Sequence, residues 1–485
     1  MRVNAKEWLE QVYPLTDDIL VNTLQLDSRY VQSKDVFLAI PGVSQHGKDY
    51  IEQALKNGAA LVLTDSGHYE DARVLVLPQL MQQLPALAAR FYQTPAAEMT
   101  LVGITGTNGK SSTAFFINQL AQQLKRKAQV IGTLGYGDFN QLTPLANTTP
   151  HFVDIQAILA QAKAKQADLV ALEVSSHALA QQRLAGIQFN VAVFTNLTRD
   201  HLDYHGSMAE YGAAKALLFD SAMCQAAVIN VGDEFGHQLA NKVNLPCIVY
   251  GTPEQCRGFK RFLAYSDVVA TPTGFTFIIS SKDERHSLRL PLLGEFNIQN
   301  VLAAIASMQS LGYDLATLVK AAEQLTAVPG RMEQFVCDNE FTAVIDYAHT
   351  PDALEQALVS LKMHSSSHIW CVFGCGGDRD KGKRPLMGQA AEKYADHIII
   401  TADNPRSEDA LSICQDIAAG ISADASYQIE PNRQAAIKLA LTTAQPDDIV
   451  LIAGKGHETV QIIGQQQLNY DERAYVQQLV TELSV

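Results

Sequence analysis

Apolar residues in this chain fall in short, nearly continuous runs that alternate with longer amphipathic segments. In the first 96 residues such runs lie at Asp35–Ile40, Ala59–Thr64 and Arg73–Leu77, and Tyr50–Asn57 has the periodicity of a helix between the first two. Continuous apolar runs of this length are typical of strands buried on both faces, and their alternation with helices is typical of a parallel sheet. We therefore predict a small N-terminal α/β domain.

The middle of the chain, residues 97–328, repeats this pattern with a polar loop after each apolar run. The predicted strands are the run around Leu101–Ile104, then Asp168–Val174, Val191–Leu197 and Ala226–Asn230. Polar residues at the carboxyl ends of buried parallel strands form the ligand sites of open sheets. We predict a central parallel-sheet ATPase domain of the P-loop type, with an irregular insertion or an edge hairpin between residues 256 and 290.

Residues 329–485 show the alternation most plainly. The predicted strands are Thr342–Tyr347, Ile369–Phe373, His397–Thr401 and Asp448–Ala453, and the predicted helices are Ala353–Met363, Arg384–Ala395, Glu408–Ile421 and Arg433–Thr443. This order predicts a C-terminal doubly wound, Rossmann-like domain. The four strands are followed by the loops AHTPD, GCGGDRDKGKRP, ADNPRSED and GKGHE, which we expect to meet at one edge of the sheet.

Composition narrows the class of protein. A chain of 485 residues with 47% hydrophobic and 18% charged residues describes a folded protein of several domains. Its seven cysteines form no CxxC pair, and its first residues include no apolar segment of the signal-peptide type, so we expect reduced thiols and a cytoplasmic location. A net charge of −14 argues against a nucleic-acid surface, and no apolar run is long enough to cross a membrane.

The most informative stretch is Leu101–Ser112, LVGITGTNGKSS. A strand, a glycine-rich turn and a helix N-terminus in this order direct backbone N–H groups at an anion, and Lys110 adds a full charge. Ser111 stands where a hydroxyl binds the Mg²⁺ of a nucleotide triphosphate. The spacing is G-x-x-G-x-x-G-K-S, and Ile104 occupies the place of the first glycine of the common P-loop. We predict nucleotide binding at this loop.

Acidic and imidazole side chains follow two later strands. Glu173 ends a predicted strand and is a candidate Mg²⁺ ligand, with a capping or ion-pairing role as the alternative. The segment DHLDYH, residues 200–205, contains two aspartates and two histidines. Thiolates are absent there, so zinc is not favoured, and two of these four residues could simply cap the next helix.

Lys215 lies on an amphipathic helix among apolar neighbours. The residues alone favour a surface lysine whose stem packs on the helix while its charge stays in water. The alternative is a lysine of lowered pKa that reacts with CO₂ to form a carbamate, an oxygen donor for a metal ion.

The loops of the last domain carry groups suited to an amino-acid ligand. GCGGDRDKGKRP contains Arg379, Lys381, Lys383 and Arg384, a basic density that suits carboxylate or phosphate, with a solvated loop as the alternative. DNPR, residues 403–406, ends in an arginine whose planar fork matches a carboxylate, and GKGHE, residues 454–458, offers a carboxylate for a ligand ammonium. In the first domain, LDSR and PGVSQHG read by themselves as turns.

Together these motifs resemble the Mur ligase family, which shares its superfamily with folylpolyglutamate synthetases. The resembling segments are LDSR, GTNGKSS, NTT, EVSSH, FTNLTRDHLDYHG, FNIQN, GRME, DYAHTPDALE, FGCGGDRDKGKRP, DNPR and AGKGHE. The resemblance implies an ADP-forming amide ligase of peptidoglycan precursor synthesis that uses ATP and Mg²⁺. It also implies a UDP-binding domain over residues 1–96, an ATP-binding domain over 97–328 and an amino-acid-binding domain over 329–485.

The same resemblance assigns residues to each ligand. The UDP substrate would contact Leu26, Ser28, Val43, Ser44, Gln45, Asn147, Thr148, Thr149, Ser175, Gln181 and Arg183. ATP would contact Gly106, Thr107, Asn108, Gly109, Lys110, Ser111, Ser112, Asn297, Asn300, Arg331 and Asp346. Two Mg²⁺ ions would be held by Ser111, Glu173, His201 and carbamylated Lys215, and the catalytic residues would be Lys110, Glu173, His201, Lys215 and Arg331. The incoming amino acid would contact Arg379, Asp403, Asn404, Pro405, Arg406, Gly454 and Glu458.

Within the family, the chain resembles the branch that adds meso-diaminopimelate to UDP-N-acetylmuramoyl-L-Ala-D-Glu. Arg406 can pair with a distal carboxylate that lysine lacks, which favours diaminopimelate over lysine. Loop 43–45 departs from the usual family sequence, and Ser111 and Ser112 stand where threonines are frequent. The alternatives are a folylpolyglutamate synthetase and a nucleotide-switched binding protein. We expect a monomer without nucleic-acid or membrane partners.

Overall fold

The computed structural model describes residues 2–42, 45–139, 141–337 and 341–484. The chain forms two compact units. The first contains residues 1–229 and 233–247, and the second contains residues 230–232 and 248–485. Each unit combines sheets with covering helices.

The first unit begins with two short antiparallel strands and a four-stranded parallel sheet. The strands are β1 (Val3–Asn4) paired with β2 (Leu20–Val21), then β3 (Leu24–Gln25), β4 (Val36–Ala39), β5 (Leu61–Thr64) and β6 (Val74–Val76) in sheet order. The helices are α1 (Ala5–Leu9), α2 (Ile51–Lys56) and α3 (Leu80–Phe91). β4 and β5 are buried along their whole length, which accounts for their nearly uninterrupted apolar sequence.

A larger sheet completes the first unit. Its strands are β7 (Thr100–Thr105), β8 (Ala128–Gly132), β9 (Gly135–Asp138), β10 (Gln141–Thr143), β11 (Leu169–Glu173), β12 (Phe189–Phe194) and β13 (Cys224–Asn230). The helices are α4 (Lys110–Gln123), α5 (Phe152–Ala164), α6 (Ser176–Ala180), α7 (Leu202–His205), α8 (Met208–Ala216) and α9 (Glu234–Lys242). The order is β10-β9-β8-β11-β7-β12-β13, and all neighbours from β8 to β13 are parallel. The loops after β7, β11 and β12 therefore lie side by side.

The two sheets of the first unit share an apolar core. One cluster of buried side chains includes Trp8 and Phe91 from the N-terminal segment together with Phe152 and Phe189 from the larger sheet's surroundings. The opposite face of the four-stranded sheet has a smaller cluster that includes Phe37. Burial of apolar surface favours this shared core. Residue 96, the predicted end of the first domain, lies inside this compact unit. The domain boundaries at 96 and 328 stay predictions.

The second unit begins with four strands, and three of them lie in the segment 256–290, whose structure was ambiguous from sequence. They are β14 (Cys247–Gly251), β15 (Phe262–Thr271), β16 (Gly274–Ser280) and β17 (Arg285–Leu290), followed by α10 (Phe296–Ser310) and α11 (Leu315–Ala322). β15, β16 and β17 pair antiparallel in that order. Residues 262–290 thus form an antiparallel meander that ends at the edge of its sheet, so the expectation of an edge hairpin is confirmed and that of an irregular insertion is wrong. Alternation of buried and partly exposed residues along β16 favours this strand.

The rest of the second unit is a six-stranded sheet with helices on both faces. Its strands are β18 (Glu333–Val336), β19 (Thr342–Asp346), β20 (Ile369–Phe373), β21 (His397–Ile400), β22 (Tyr427–Ile429) and β23 (Ile449–Ala453), and a hairpin follows from β24 (Val460–Ile463) and β25 (Gln466–Asn469). The helices are α12 (Pro351–Lys362), α13 (Lys383–Tyr394), α14 (Ala410–Ala418), α15 (Arg433–Thr443) and α16 (Glu472–Leu483). The order is β18-β19-β23-β20-β21-β22, and β19 to β22 are parallel.

This topology confirms the doubly wound sheet. It also places the loops AHTPD, GCGGDRDKGKRP, ADNPRSED and GKGHE at one edge of that sheet. The loops after β19, β20, β21 and β23 all leave carboxyl ends of parallel strands. Gly377 N donates to Asn404 O at 3.0 Å, and Gly454 N donates to Asp346 O at 3.0 Å, so neighbouring loops are bonded to each other. No helix in the described part of the chain is both long enough and apolar enough to cross a membrane.

Candidate functional site

The loop between β7 and α4 has the geometry of an anion site. Gly109 has a φ of 83° and directly precedes α4, a helix of 14 residues that starts at Lys110. Gly106 has a φ of 154°, and a Cβ atom there would lie 1.8 Å from Oγ1 of Thr195, so a side chain would not fit. A helix N-terminus that follows such a turn, with Ser111 and Ser112 in its first turn, can accept phosphate.

The segment after β12 is hydrogen-bonded to this loop and holds it in place. Thr107 N donates to Asn196 O and Asn108 N donates to Asn196 Oδ1, each at 2.9 Å. Thr195 Oγ1 donates to Asn108 O at 2.6 Å. Sequence reasoning did not assign Thr195 and Asn196, although their position directly after an apolar strand was the signal that could have found them.

Two lysines converge on the same loop. Lys110 Nζ donates to the carbonyl oxygens of Gly106 and Thr107, each at 2.8 Å, and Lys215 Nζ donates to Gly106 O at 2.8 Å. Lys215 is 1% exposed, and its Nζ lies 4.3 Å from the ring centre of Tyr211. The preference for a surface lysine is therefore wrong. The periodicity of α8 does not reveal that its Lys215 face packs against the phosphate loop.

The environment of Lys215 changes its protonation. Burial, followed by the charge of Lys110, lowers the pKa of Lys215 to about 6, and Asp200 opposes this shift. Because an ammonium group is penalised by loss of water and by a like charge, the amine is mainly uncharged at neutral pH. An uncharged lysine amine is a nucleophile.

Glu173 ends β11 beside the phosphate loop. Its Oε1 accepts from Thr133 N at 3.0 Å, and its Oε2 accepts from Thr133 Oγ1 at 3.2 Å. Burial raises the pKa of Glu173, while Lys110 and a hydrogen bond with Ser111 act in the opposite direction. A Cβ atom at Gly132 would lie 2.0 Å from Oε1, so glycine leaves the space that the carboxylate occupies. The structure thus brings Glu173, Ser111 and Lys110 together.

His201 lies in a group of aromatic rings at the start of α7. Its φ is 51°, and its Nε2 lies 3.4 Å from Asp200 Oδ2. Its ring centre lies 4.9 Å from that of His177 and 6.1 Å from that of Tyr211, the ring that also contacts Lys215. Ring contacts therefore connect His201 to Lys215.

These donors can be tested for their fit to Mg²⁺. Among the described residues, no group of three or more His, Cys, Asp and Glu side chains is arranged to hold a metal ion. The hard oxygen donors beside the loop are the Glu173 carboxylate and the Ser111 hydroxyl. Mg²⁺ often takes one or two protein oxygens and completes its shell with phosphate oxygens and water. The donor set fits an ion that arrives with a nucleotide.

Hydrogen bonds tie the NTT segment to the end of β11. Thr149 Oγ1 donates to Glu173 O at 2.7 Å and accepts from Ser175 N at 3.0 Å. Arg183 Nη1 donates to Thr149 O at 3.3 Å. Three residues assigned to the UDP substrate therefore form one group that adjoins the carboxylate.

The other residues of this assignment lie close by. Thr148 Oγ1 is 3.1 Å from Thr133 Oγ1, which itself bonds Glu173. Gln181 Nε2 donates to Tyr204 OH at 3.0 Å, and Asn147 is exposed.

A cavity of about 400 Å³ opens beside the four-stranded sheet. Leu26, Ser28 and Gln45 line it, together with His46 and Tyr50. Described residues of both segments that sequence alone marks as turns thus line one cavity. Val43 and Ser44, also assigned to the UDP substrate, lie outside the described residues.

In the second unit, Arg331 lies near Asp346, which ends β19, and its charge opposes the effect of burial on the pKa of that carboxyl. Arg331 Cζ lies 4.8 Å from the ring centre of Tyr347, and Asp346 Oδ2 accepts from Met332 N at 2.8 Å. Burial raises the pKa of Asp346. A Cβ atom at Gly330 would lie 2.2 Å from His457 N, so the GRME turn fits closely against the GKGHE loop.

Asn297 and Asn300 are buried in the first turns of α10. Asn297 Nδ2 donates to Leu293 O at 2.8 Å, and Asn300 Nδ2 donates to Asn297 Oδ1 at 3.2 Å. These bonds hold the entry of α10, and the assignment of both residues to ATP stays a prediction.

Arg406 and Arg379 meet at the loop after β20. Arg406 Nη1 donates to Gly377 O at 2.8 Å. A Cβ atom at Gly376 would lie 2.8 Å from Arg406 Nη1 and 3.7 Å from Arg379 Cγ. Arg379 is exposed and Arg406 is half-buried, so both guanidinium groups can reach an anionic ligand at this glycine.

Two other basic residues of this loop, Lys381 and Arg384, are engaged in ion pairs within the protein. Arg384 is 0% exposed and bonds Glu408 and Asp416 at 2.8 to 3.0 Å, and Lys381 bonds Glu408 at 2.9 Å. The interpretation of the whole loop as a ligand-binding basic cluster is therefore too broad. The acidic partners lie more than 20 residues away in sequence, so the loop's own sequence does not reveal them.

The ADNPR and GKGHE loops form an acidic region next to these arginines. Asp403, Asn404 and Pro405 are buried, and a Cβ atom at Gly454 would lie 3.1 Å from Asp403 Oδ2. Asn404 Nδ2 donates to Glu458 Oε2 at 3.0 Å. The loops of the second unit thus present carboxylates and guanidinium groups together, a combination that suits a ligand with ammonium and carboxylate groups.

A buried arginine, missed from sequence, fixes the bases of both loops. Arg433 donates to Ala402 O at 3.3 Å and to Ala453 O at 2.9 Å, the residues directly before Asp403 and Gly454. It also pairs with buried Glu472. A single arginine at the start of a helix gives no sequence signal for this role.

These features define an α/β protein with a nucleotide-type phosphate loop and a second unit suited to an amino-acid ligand. The chain matches the Mur ligase family catalytic domain over residues 20–92, the Mur ligase middle domain over 104–308 and the Mur ligase glutamate ligase domain over 330–456. The chain belongs to the Mur ligase family, which confirms the resemblance and the three-domain fold class.

Proteins of known name are similar to this chain over almost its whole length. It is 44% identical to UDP-N-acetylmuramoyl-L-alanyl-D-glutamate--2,6-diaminopimelate ligase of Vibrio vulnificus (strain YJ016), over 98% of this chain and 97% of that protein. It is 42% identical to the protein of the same name from Haemophilus influenzae (strain PittEE), over 95% and 96%. A solved structure of a ligase with this name has 34% identity and a TM-score of 0.74, covering 99% of each chain.

Proposed function

We propose that this chain is an ADP-forming ligase that joins meso-2,6-diaminopimelate to the D-glutamate γ-carboxylate of UDP-N-acetylmuramoyl-L-Ala-D-Glu. The observation that carries the proposal is the full-length likeness to ligases named for these substrates. ATP and Mg²⁺ fit the phosphate loop and the two oxygen donors beside it. The product would be a peptidoglycan precursor made in the cytoplasm.

The reaction needs activation because a carboxylate would have to expel oxide when an amine attacks it. A γ-carboxylate oxygen attacks the γ-phosphorus of ATP, the new O–P bond forms as the bond to ADP breaks, and an acyl phosphate results. The diaminopimelate amine then attacks the acyl carbon, phosphate leaves with the electrons of the C–O bond, and the nitrogen loses a proton. Positioning and charge neutralisation supply most of the catalysis in such phosphoryl transfers.

The phosphate loop provides the chain's own part of the first step. Lys110 Nζ, which bonds two loop carbonyls at 2.8 Å, would exchange them for phosphate oxygens, and the N-terminus of α4 would receive the remaining phosphate charge. Ser111 and Glu173 would hold Mg²⁺, which would neutralise phosphate charge when bound. The ATP contacts of Asn297, Asn300, Arg331 and Asp346 remain as predicted from the resemblance.

Lys215 is proposed to act as a carbamate. Its uncharged amine attacks CO₂, a C–N bond forms, and one proton leaves to solvent, which turns the residue into a carboxylate-like oxygen donor. The carbamate nitrogen keeps one N–H group, which can retain the bond to Gly106 O. Burial of Lys215 and its lowered pKa support this chemistry.

Recognition of diaminopimelate is proposed for the strand-end loops of the second unit. Glu458 and Asp403 would face an ammonium group, and Arg406 with Arg379 would face a carboxylate. Diaminopimelate has a second carboxylate that lysine lacks, so Arg406 would discriminate between them. The UDP moiety would occupy the cavity at Leu26, Ser28 and Gln45.

The direct test is ADP release from ATP with Mg²⁺ and the UDP-muramoyl dipeptide, with meso-diaminopimelate compared with L-lysine. Rapid release with the first and little with the second is expected. Equal release with both would keep the ligase and overturn the specificity of Arg406. Release that requires a folate and glutamate instead would favour a folylpolyglutamate synthetase, and release with none of these would overturn the proposal.

A further inference from the structure

Lys455 is a buried lysine inside the proposed amino-acid site that the family resemblance leaves unassigned. It follows Gly454 in the GKGHE loop and is 0% exposed. Its Nζ donates to Asn404 Oδ1 and to Glu458 Oε2, each at 3.1 Å, and lies 3.9 Å from Asp403 Oδ1. One ammonium group therefore contacts three side chains that are proposed to bind diaminopimelate.

These contacts determine how Asn404 is oriented. Its Oδ1 accepts from Lys455 Nζ and also from Ile462 N at 3.0 Å. Two donors at the oxygen fix the amide plane, so Nδ2 points to Glu458 and donates to its Oε2 at 3.0 Å. Without the lysine, the Ile462 bond alone would hold the oxygen, and the amide could rotate.

The same contacts determine which oxygen of Glu458 faces a ligand. Asn404 Nδ2 and Lys455 Nζ both bind Oε2, so Oε1 is the oxygen that an incoming ammonium group can use. The Glu458 side chain is 30% exposed, whereas that of Lys455 is sealed off. The lysine thus acts on the ligand through Glu458 and has no surface with which to touch it.

Charge balance in this region also depends on Lys455. Asp403 and Glu458 contribute two carboxylates, and Lys455 contributes one compensating charge next to both. The neighbouring Arg433 is already paired with Glu472. Burial raises the pKa of Asp403, and the charges of Arg433 and Lys455 oppose this shift. Lys455 thus compensates part of the carboxylate charge of this region and leaves some of it to attract an ammonium ligand.

We propose that Lys455 is a positioning residue for the incoming amino acid, because it orients Asn404 and Glu458 and balances their charge. The inference rests on the proposed function. It assigns the lysine to the second step only, since formation of the acyl phosphate needs no diaminopimelate.

The test compares Lys455→Met with the unchanged protein in both half-reactions. The KM for meso-diaminopimelate is expected to rise at least about 10-fold, the effect of disturbing a hydrogen bond to a charged group. The KM values for ATP and the UDP dipeptide should stay the same. Incorporation of labelled ADP into ATP, measured with unlabelled ATP, Mg²⁺ and the UDP dipeptide but without diaminopimelate, should also keep its rate. Lys393→Met, which removes an exposed lysine that pairs with Glu355, is the matched control and should change none of these values.

Two results would overturn the proposal. One is an unchanged KM for diaminopimelate in a folded Lys455→Met protein, and the other is an equal loss in both half-reactions, which would indicate a general structural role. If the methionine variant does not unfold cooperatively, Lys455→Gln, which keeps a polar group but no charge, replaces it. The KM for diaminopimelate and the rate of ADP exchange are then compared in the same way. An unchanged protein that shows neither exchange nor diaminopimelate-dependent ADP release would instead overturn the proposed function.

Discussion

Lys110 Nζ and Lys215 Nζ donate to the same acceptor, the carbonyl oxygen of Gly106, each at 2.8 Å. Two ammonium groups on one carbonyl repel each other, and the repulsion is strong where water is excluded. Lys215 is the buried partner, and its pKa is lowered to about 6. The phosphate loop therefore has one lysine available for phosphate charge and one amine whose charge depends on pH.

Uptake of CO₂ by Lys215 is the first expected consequence. Only the uncharged amine reacts, so at constant CO₂ pressure the carbamate fraction should rise as the pH increases through about 6. The measurement is ¹³C NMR of the protein under ¹³CO₂. The carbamate signal should be lost in Lys215→Met and retained in Lys165→Met, an exposed lysine at the end of α5. A signal that persists in Lys215→Met would contradict the assignment.

Removal of the Lys110 charge should separate catalysis from folding. Lys110→Ala is expected to lower turnover at least about 100-fold, because the lysine stabilises charge on the transferring phosphate. Lys110 bonds two loop carbonyls and its charge acts on buried Glu173, so the midpoint of thermal unfolding should fall, but by much less than turnover does. The measurements are ADP release and thermal unfolding. Lys165→Ala is the control, and turnover retained in Lys110→Ala would refute the phosphate-loop assignment.

Arg406 should control the choice of amino acid. Arg406→Gln is expected to raise the KM for meso-diaminopimelate about 10- to 100-fold, because a charge-assisted hydrogen bond is lost. The preference over L-lysine should fall by a similar factor, and the KM for ATP should not change. Steady-state kinetics with each amino acid measures this. Arg257→Gln, at an exposed arginine of the same unit, is the control. An equal loss with both amino acids would show that Arg406 does not read the distal carboxylate.

The buried pair of Arg433 and Glu472 should contribute to the stability of the second unit. Arg433→Met leaves Glu472 buried and unpaired, and a loss of about 3 to 5 kcal/mol in the free energy of unfolding is expected. The added change Glu472→Leu should recover part of this loss. The chain has two tryptophans, so in a Trp8→Phe background Trp370 reports on the second unit alone during urea unfolding.

The control for this measurement is the exposed pair of Lys393 and Glu355. Lys393→Met should cost at most about 1 kcal/mol, because exposed ion pairs are screened by water. If Arg433→Met costs no more than this control, the buried pair is not a stabilising feature.

Much of the site could be read from sequence because its signals are local. The phosphate loop was identifiable from glycine spacing, and the edge where Arg406 and Glu458 meet followed from the order of apolar runs. The burial of Lys215 was missed because a lysine among apolar helix neighbours has the same pattern whether its end is in water or under a loop. The interpretation of the whole GCGGDRDKGKRP loop as a ligand site was too broad because the acidic partners of Arg384 lie on other elements.

The alternation of strands and helices in three α/β domains, the phosphate loop and the family could all be inferred from the sequence. These depend on hydrophobic period, turn residues and spacing, all of which are properties of neighbouring positions. Packing in three dimensions brings Lys215 to Gly106, 109 residues away, and Lys455 to Asn404, 51 residues away, and the sequence pattern predicts neither contact. Burial and charge pairing arise between distant segments after packing, and they fix the pKa of a lysine and the direction of a carboxylate.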